Sequence, residues 1–197
     1  MGRPKLPDER KVKFPRDIAV RQGIIDLHRN SKLSSFKFSI AASIHRSQII
    51  GCYRYVGKYK QFLNEYDFLD LNEFLDADTF YKVFEMHNPD VSLTVLTCID
   101  SSMPSIYFRT KNVCNEKHAF IFYYNNRWFP IINLNRALGL GNGAGSNTVY
   151  CKRCLCNFNT TTRLQVHLAK CAGEQGRILK CNGVFKPYKT SLSYVNI

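Results

Sequence analysis

Two rhythms of apolar residues run along the chain. Between residues 35 and 45, Phe36, Ile40, Ala41 and Ile44 recur at helical spacing, with Ser34 or Ser35 placed to cap the first turn. A short helix is also predicted over 16–29, where Pro15 suits the first turn and Ile18, Ile24, Ile25 and Leu27 form a partial apolar face. A third is predicted from Thr79 to His87, with Asp76 and Asp78 near its positive end. The period then drops to two. SLTVLTCI (92–99), SIYFRT (105–110) and HAFIFYY (118–124) are rich in β-branched and aromatic residues and predict strands. Asn125-Asn126 predicts a turn into Arg127-Trp128-Phe129-Pro130-Ile131, and Pro130 argues for a strand end or sheet edge. Residues 132–140 predict a short helix ended by Gly139 and Gly141. The sum is an α+β fold, a small mixed sheet with short helices.

Composition divides the chain further. Residues 1–14 read as a flexible basic arm, 15–140 as the α+β domain, 141–147 (GNGAGSN) as a glycine-rich linker, 148–173 as a small separate module and 174–197 as a basic tail. The linker glycines lack the strand, helix and Lys-Ser/Thr of a phosphate cradle. Apolar residues make up 45% of the chain, yet no apolar run approaches the roughly 18 residues of a membrane span. The basic N-terminus lacks the apolar core of a secretory signal. Nothing addresses the chain to an oxidising compartment, so the eight cysteines read as thiols and metal ligands rather than disulfides, and an intracellular protein is expected.

The net charge of +13 is unevenly spread. Residues 1–60 carry +10, 61–90 carry −7, 91–150 carry +3 and 151–197 carry +7. Basic ends around an acidic middle point to a polyanion, most commonly nucleic acid. Gly2-Arg3-Pro4-Lys5 resembles half of a minor-groove hook, which makes Arg3 and Lys5 candidate contacts, although the second flanking Arg is absent. The acidic stretch 61–86 has no pair of carboxylates at a ligand spacing. It reads as the solvated face of a segment whose aromatics point inward.

The sharpest motif is YCKRCLCNFNTTTRLQVHLAKC. Cys151-x2-Cys154-x12-His167-x3-Cys171 places two thiols on a tight turn and two ligands one helical turn apart, enough to enclose one Zn2+ ion. Tyr150, Phe158 and Leu164 stand where a ββα finger keeps its small core, and such a module folds only with its metal. Cys156 and Cys181 read as spare thiols. Thr160, Arg163 and Val166 would face bases, and of these Arg163 alone is a strong base reader. One finger spans about 3 base pairs. Structural use, or backbone contact through Lys152, Arg153, Arg163 and Lys170, therefore outweighs sequence-specific readout.

Five stretches carry a wider resemblance. They are SFKFSIAASIH (35–45), YRYVGKYKQF (53–62), FEMHNPDVSLTVL (84–96), WFPIINLNRALG (128–139), and YCKRCLCNF followed by HLAKC (150–171). In this order they resemble the region upstream of the exonuclease in protein-primed family B DNA polymerases of Maverick/Polinton elements and related DNA viruses. The resemblance covers about two thirds of the chain. It implies a degenerate papain-like fold followed by the finger. In that family the first helix often opens with Cys and a His precedes the aromatic of a later strand, like a papain-type pair. The matching positions here are Ser35 and Arg127, so thiolate chemistry is not expected. The chain also lacks the Tyr-x-Asp-Thr-Asp polymerase and Asp-x-Glu exonuclease motifs.

Three functions compete. The first is a non-enzymatic DNA-binding protein of a mobile element or DNA virus, in the host nucleus, acting in replication or genome handling. The second is a virion structural protein whose acidic middle meets viral or element-encoded proteins while its basic ends meet the genome. The third is a papain-type hydrolase, against which the missing Cys–His pair argues.

Overall fold

The helices begin where short polar side chains satisfy their first amides. In the computed structural model, which describes residues 12, 14–15, 23–27, 31–98, 104–138, 149–171, 180–181 and 183–184, helix α1 spans Lys32–His45. It starts earlier than its apolar pattern because Ser31, not Ser34 or Ser35, is the cap, its Oγ accepting from Ser34 N at 3.1 Å. Glu73 reinforces that end. Leu33 N donates to its Oε2 at 3.0 Å and the Ser31 hydroxyl donates to its Oε1, setting a carboxylate at the positive helix terminus. Helix α2, Ala77–His87, is capped by Asp76, which accepts from Thr79 N at 2.8 Å and from the Thr79 hydroxyl at 2.7 Å. Two carboxylates of the acidic stretch, Glu73 and Asp76, thus hold helix ends. Two 3-10 segments, Arg46–Gln48 and Val56–Glu65, join α1 to this stretch.

The sheet has the order β2-β1-β3-β4. Strands β1 (Val91–Thr97) and β2 (Ser105–Arg109) pair antiparallel, β1 and β3 (Lys117–Tyr124) parallel, and β3 and β4 (Arg127–Pro130) antiparallel, so the sheet is mixed. Asn125 and Asn126 turn β3 into β4 with φ of 50° and 56°, the left-handed pair that a tight hairpin needs and Asn tolerates. The expected helix over 16–29 is corrected in its described part. Residues 23–27 are not helical: Ile24 bridges Ile131 and Ile25 N donates to Pro130 O at 3.2 Å. Backbone groups beyond Pro130 need partners, and that demand overrides a weak helical face. Gly23 is fixed by close approach, since a Cβ there would lie 2.3 Å from Ala137 N.

Both faces of the sheet are covered, which explains why every residue of β1 is buried. Leu93, Val95, Ala119, Ile121 and Trp128 pack under α1 and α2. Phe36 lies among aromatic rings there, 5.4 Å from Phe80 and Phe84 and 5.2 Å from Trp128 by centroid. The other core joins Leu96, Phe120, Phe122 and Phe129 to Ala137 of the short helix α3 (Leu134–Ala137) and to Leu138. Helix α3 is shorter than the predicted 132–140, starting at the Asn133 cap, while Gly139 and the linker 141–147 lie outside the described residues. Among the described residues, no helix is long and apolar enough to cross a membrane.

Candidate metal centre

Four candidate ligands, three thiols and one imidazole, converge after the sheet. Strands β5 (Val149–Tyr150) and β6 (Asn157–Phe158) form a hairpin, and helix α4 (Thr161–Leu168) follows. The hairpin turn carries Cys151 and Cys154, the last turn of α4 carries His167, and Cys171 lies just beyond. Thr160 caps α4, accepting from Arg163 N at 3.2 Å, which fixes the phase that aims His167 inward.

The donor atoms of Cys151, Cys154, His167 and Cys171 all lie within 4.8 Å of one another. Cys151 Sγ and Cys171 Sγ are 3.8 Å apart, and Cys154 Sγ is 3.2 Å from His167 Nε2. Tetrahedral zinc with bonds of about 2.3 Å to sulfur requires a sulfur–sulfur edge of about 3.8 Å. A disulfide would need about 2.05 Å. The donor set and its spacing therefore fit one metal ion, and the cysteines are free thiols. Burial pushes the Cys151 thiol up to about 12 and the Cys154 thiol up to about 11. Both are protonated near neutrality until a cation takes the proton's place.

The hairpin is docked on the sheet rather than merely tethered to it. Tyr150 and Leu155 are buried in the same core as Phe120, Phe122 and Phe129. Leu155 adopts φ of 59° and is fully buried, with its N–H donating to Cys151 O at 2.8 Å. That backbone is unfavourable for a bulky residue, so burial of the side chain offsets local strain. Arg109, on edge strand β2, donates from Nη2 to Lys152 O at 3.3 Å. Burial works against its positive charge, while negative charge on the sulfurs of Cys154, Cys151 and Cys171, in their thiolate form, works for it. The sequence did not single out Leu155 or Arg109, and only the Leu155 position between two cysteines hinted at a role. Phe158, in contrast, stands where its spacing places it, its ring 4.6 Å from that of His167.

The four basic residues expected to meet nucleic acid on this module divide. Lys152, Arg163 and Lys170 are exposed, with Arg163 Nη1 also reaching Asn159 Oδ1 at 3.1 Å. Arg153 is half-buried and donates from Nη1 to Leu168 O and Cys171 O, both at 3.1 Å. Its guanidinium closes the carbonyl end of α4. Arg3 and Lys5 lie outside the described residues.

The comparisons with known proteins returned nothing: no family model, no curated protein and no solved structure matches this chain.

Proposed function

We propose that the chain is a non-enzymatic zinc-finger protein that binds nucleic acid, DNA in particular, and serves replication or genome handling in a mobile element or DNA virus. The observation that carries this reading is the thiol–imidazole cluster set in a hairpin and helix that expose Lys152, Arg163 and Lys170. In this reading the hairpin and α4 are a ββα finger. Cys151, Cys154, His167 and Cys171 hold Zn2+, which supplies cross-linking of the small fold rather than chemistry. Phosphates meet the exposed cations, helped by the net charge of +13.

Relationship to the polymerase N-terminal region belongs to the same proposal, and one contact supports it. Ser35 opens α1 against the start of β4, where Trp128 N donates to Ser35 Oγ at 3.3 Å. In a papain-like fold a helix-borne nucleophile meets a strand-borne base in this manner. Here the neighbouring Arg127 pairs with Asp26 Oδ1 at 3.2 Å, both largely buried. A guanidinium accepts no proton and cannot act as a base, so the reading is a degenerate centre without hydrolysis.

Fluorescence anisotropy with labelled duplex and single strands, from 50 to 200 mM salt, tests the proposal. Affinity should fall steeply with salt, and absence of binding to either form near 100 mM would sink it. A second reading, a virion or interaction protein, draws on Phe74 and Leu69, which are 97% and 63% exposed beside Glu73 and Asp70. Recovery of a stable protein partner in purified particles, with no DNA affinity, would favour that reading.

A further inference from the structure

Arg46, Tyr53, Arg54, Tyr55, Lys58 and Lys60 interleave cations with aromatics in the loop that follows α1. No Asp or Glu occurs anywhere from residue 27 to residue 64. The acids that bound this stretch are engaged elsewhere: Asp26 with Arg127, and Glu65 with Lys117 and His45. The loop therefore carries a positive charge with no carboxylate of its own.

Its shape is fixed from within. Tyr59 is fully buried and donates its hydroxyl to Tyr53 O at 2.8 Å. Lys58 Nζ donates to Ile50 O, which closes the turn at Gly51, where φ is 79°. Two guanidiniums approach the Tyr53 ring, with Arg46 Cζ 4.2 Å and Arg54 Cζ 6.0 Å from its centroid. The Tyr55 ring lies across Gly57, where an added Cβ would come within 2.8 Å of a ring carbon. Yet Tyr55 is 64% exposed and Ile50 90% exposed. The result is an exposed Tyr55 ring held against Gly57, in a loop whose Arg54 and Lys60 are also exposed.

We infer that the loop over residues 46–60 is a docking surface for single-stranded DNA, an inference that rests on the nucleic-acid reading above but places the contact away from the metal centre. Charge complementarity selects a polyanion. The exposed ring selects its form, because an unpaired base offers a face for stacking that a duplex hides. Tyr55 and Ile50 would gain little against a phosphate backbone alone. The commitment to DNA follows from the reading of genome handling.

The test uses the full zinc-loaded chain and a 20-nucleotide oligo(dT), a duplex of the same length and an RNA of the same sequence type, read by anisotropy over a salt series. The single strand should bind more tightly than the duplex. Tyr55→Ala should weaken oligo(dT) binding on the order of 10-fold and leave duplex binding unchanged. Arg54→Ala with Lys60→Ala should reduce the salt slope by about 1.4. Unchanged Trp128 fluorescence verifies that the variants fold. If the chain binds nucleic acid but both variants match the native affinity for oligo(dT), the loop assignment is overturned and the nucleic-acid reading stands. Tighter binding of the RNA overturns the commitment to DNA. Absence of binding to every probe overturns the inference together with the reading beneath it.

Discussion

Arg109 Nη2 donates to the backbone carbonyl of Lys152 at 3.3 Å, across 43 residues of sequence. This bond joins the edge of the main sheet to the turn that carries Cys151 and Cys154. A centre of three thiolates, one imidazole and a divalent zinc has a net charge of about −1. A guanidinium beside it favours the thiolate form. Arg109→Met keeps the stem and removes the charge, and it should weaken zinc binding on the order of 10-fold, equivalent to about 1.4 kcal/mol. Competition with a chromophoric chelator measures this, and unchanged affinity would mean that the bond is incidental.

Metal removal should uncover one face of the sheet and spare the other. Tyr150 and Leu155 cover Phe120 and Phe122, whereas Trp128 lies on the opposite side among Phe36, Phe80 and Tyr81. Chelation should therefore raise binding of a hydrophobic dye while the near-UV signal of Trp128 persists. Loss of the entire near-UV signal would show that the two cores unfold together. Leu155→Ala should destabilise the zinc-loaded protein by about 2–3 kcal/mol in denaturant unfolding.

Burial holds the His118 imidazole down to about 3, with Arg109 and Lys152 pushing the same way. Its Nε2 shares a hydrogen bond with Thr94 Oγ1 at 2.9 Å, and its ring stacks on Phe120 at 4.2 Å. An unfolded histidine titrates near 6.5. Between those values the unfolded chain takes up a proton that the folded chain refuses, so stability is full above about pH 6.5 and falls as pH drops toward about 3. At pH 5 this residue should remove about 2 kcal/mol relative to pH 7.5. His45, held low by burial against the pull of Glu65, acts in the same direction. Urea unfolding at both pH values should show a smaller loss for His118→Gln, and an equal loss would contradict the assignment.

The ring cluster under α1 sets the stability of the larger core. Phe36 is fully buried, and Phe36→Ala should cost about 3–5 kcal/mol. Gly23→Ala should also destabilise, because the new Cβ meets backbone rather than a side chain that can move. Thermal unfolding reads both, and a native Tm for Gly23→Ala would contradict the close packing of residues 23–27 on α3.

What the sequence disclosed was local. The candidate metal cluster was legible because 151, 154, 167 and 171 sit within one hairpin, the helix after it and the residues just beyond, so their spacing alone brings them together. Strands β1 and β3 were legible from alternation, and α2 from Asp76 ahead of an apolar face. What depended on distant chain was hidden. Glu73 at the start of α1 comes from about 40 residues away, so Ser31 could not be told from its neighbours as the cap. Residues 23–27 carry a weak helical pattern but extend along Pro130 and Ile131. Arg109 resembled any other strand cation until β2 was laid beside the hairpin. Leu155 looked like a spacer between cysteines, and its burial follows from the sheet behind it.

Native mass spectrometry on protein prepared without chelator tests the metal centre, on which the account rests. The predicted result is one zinc per chain, lost when Cys154 becomes Ser. A chain that carries no zinc and takes up none on titration would contradict the account.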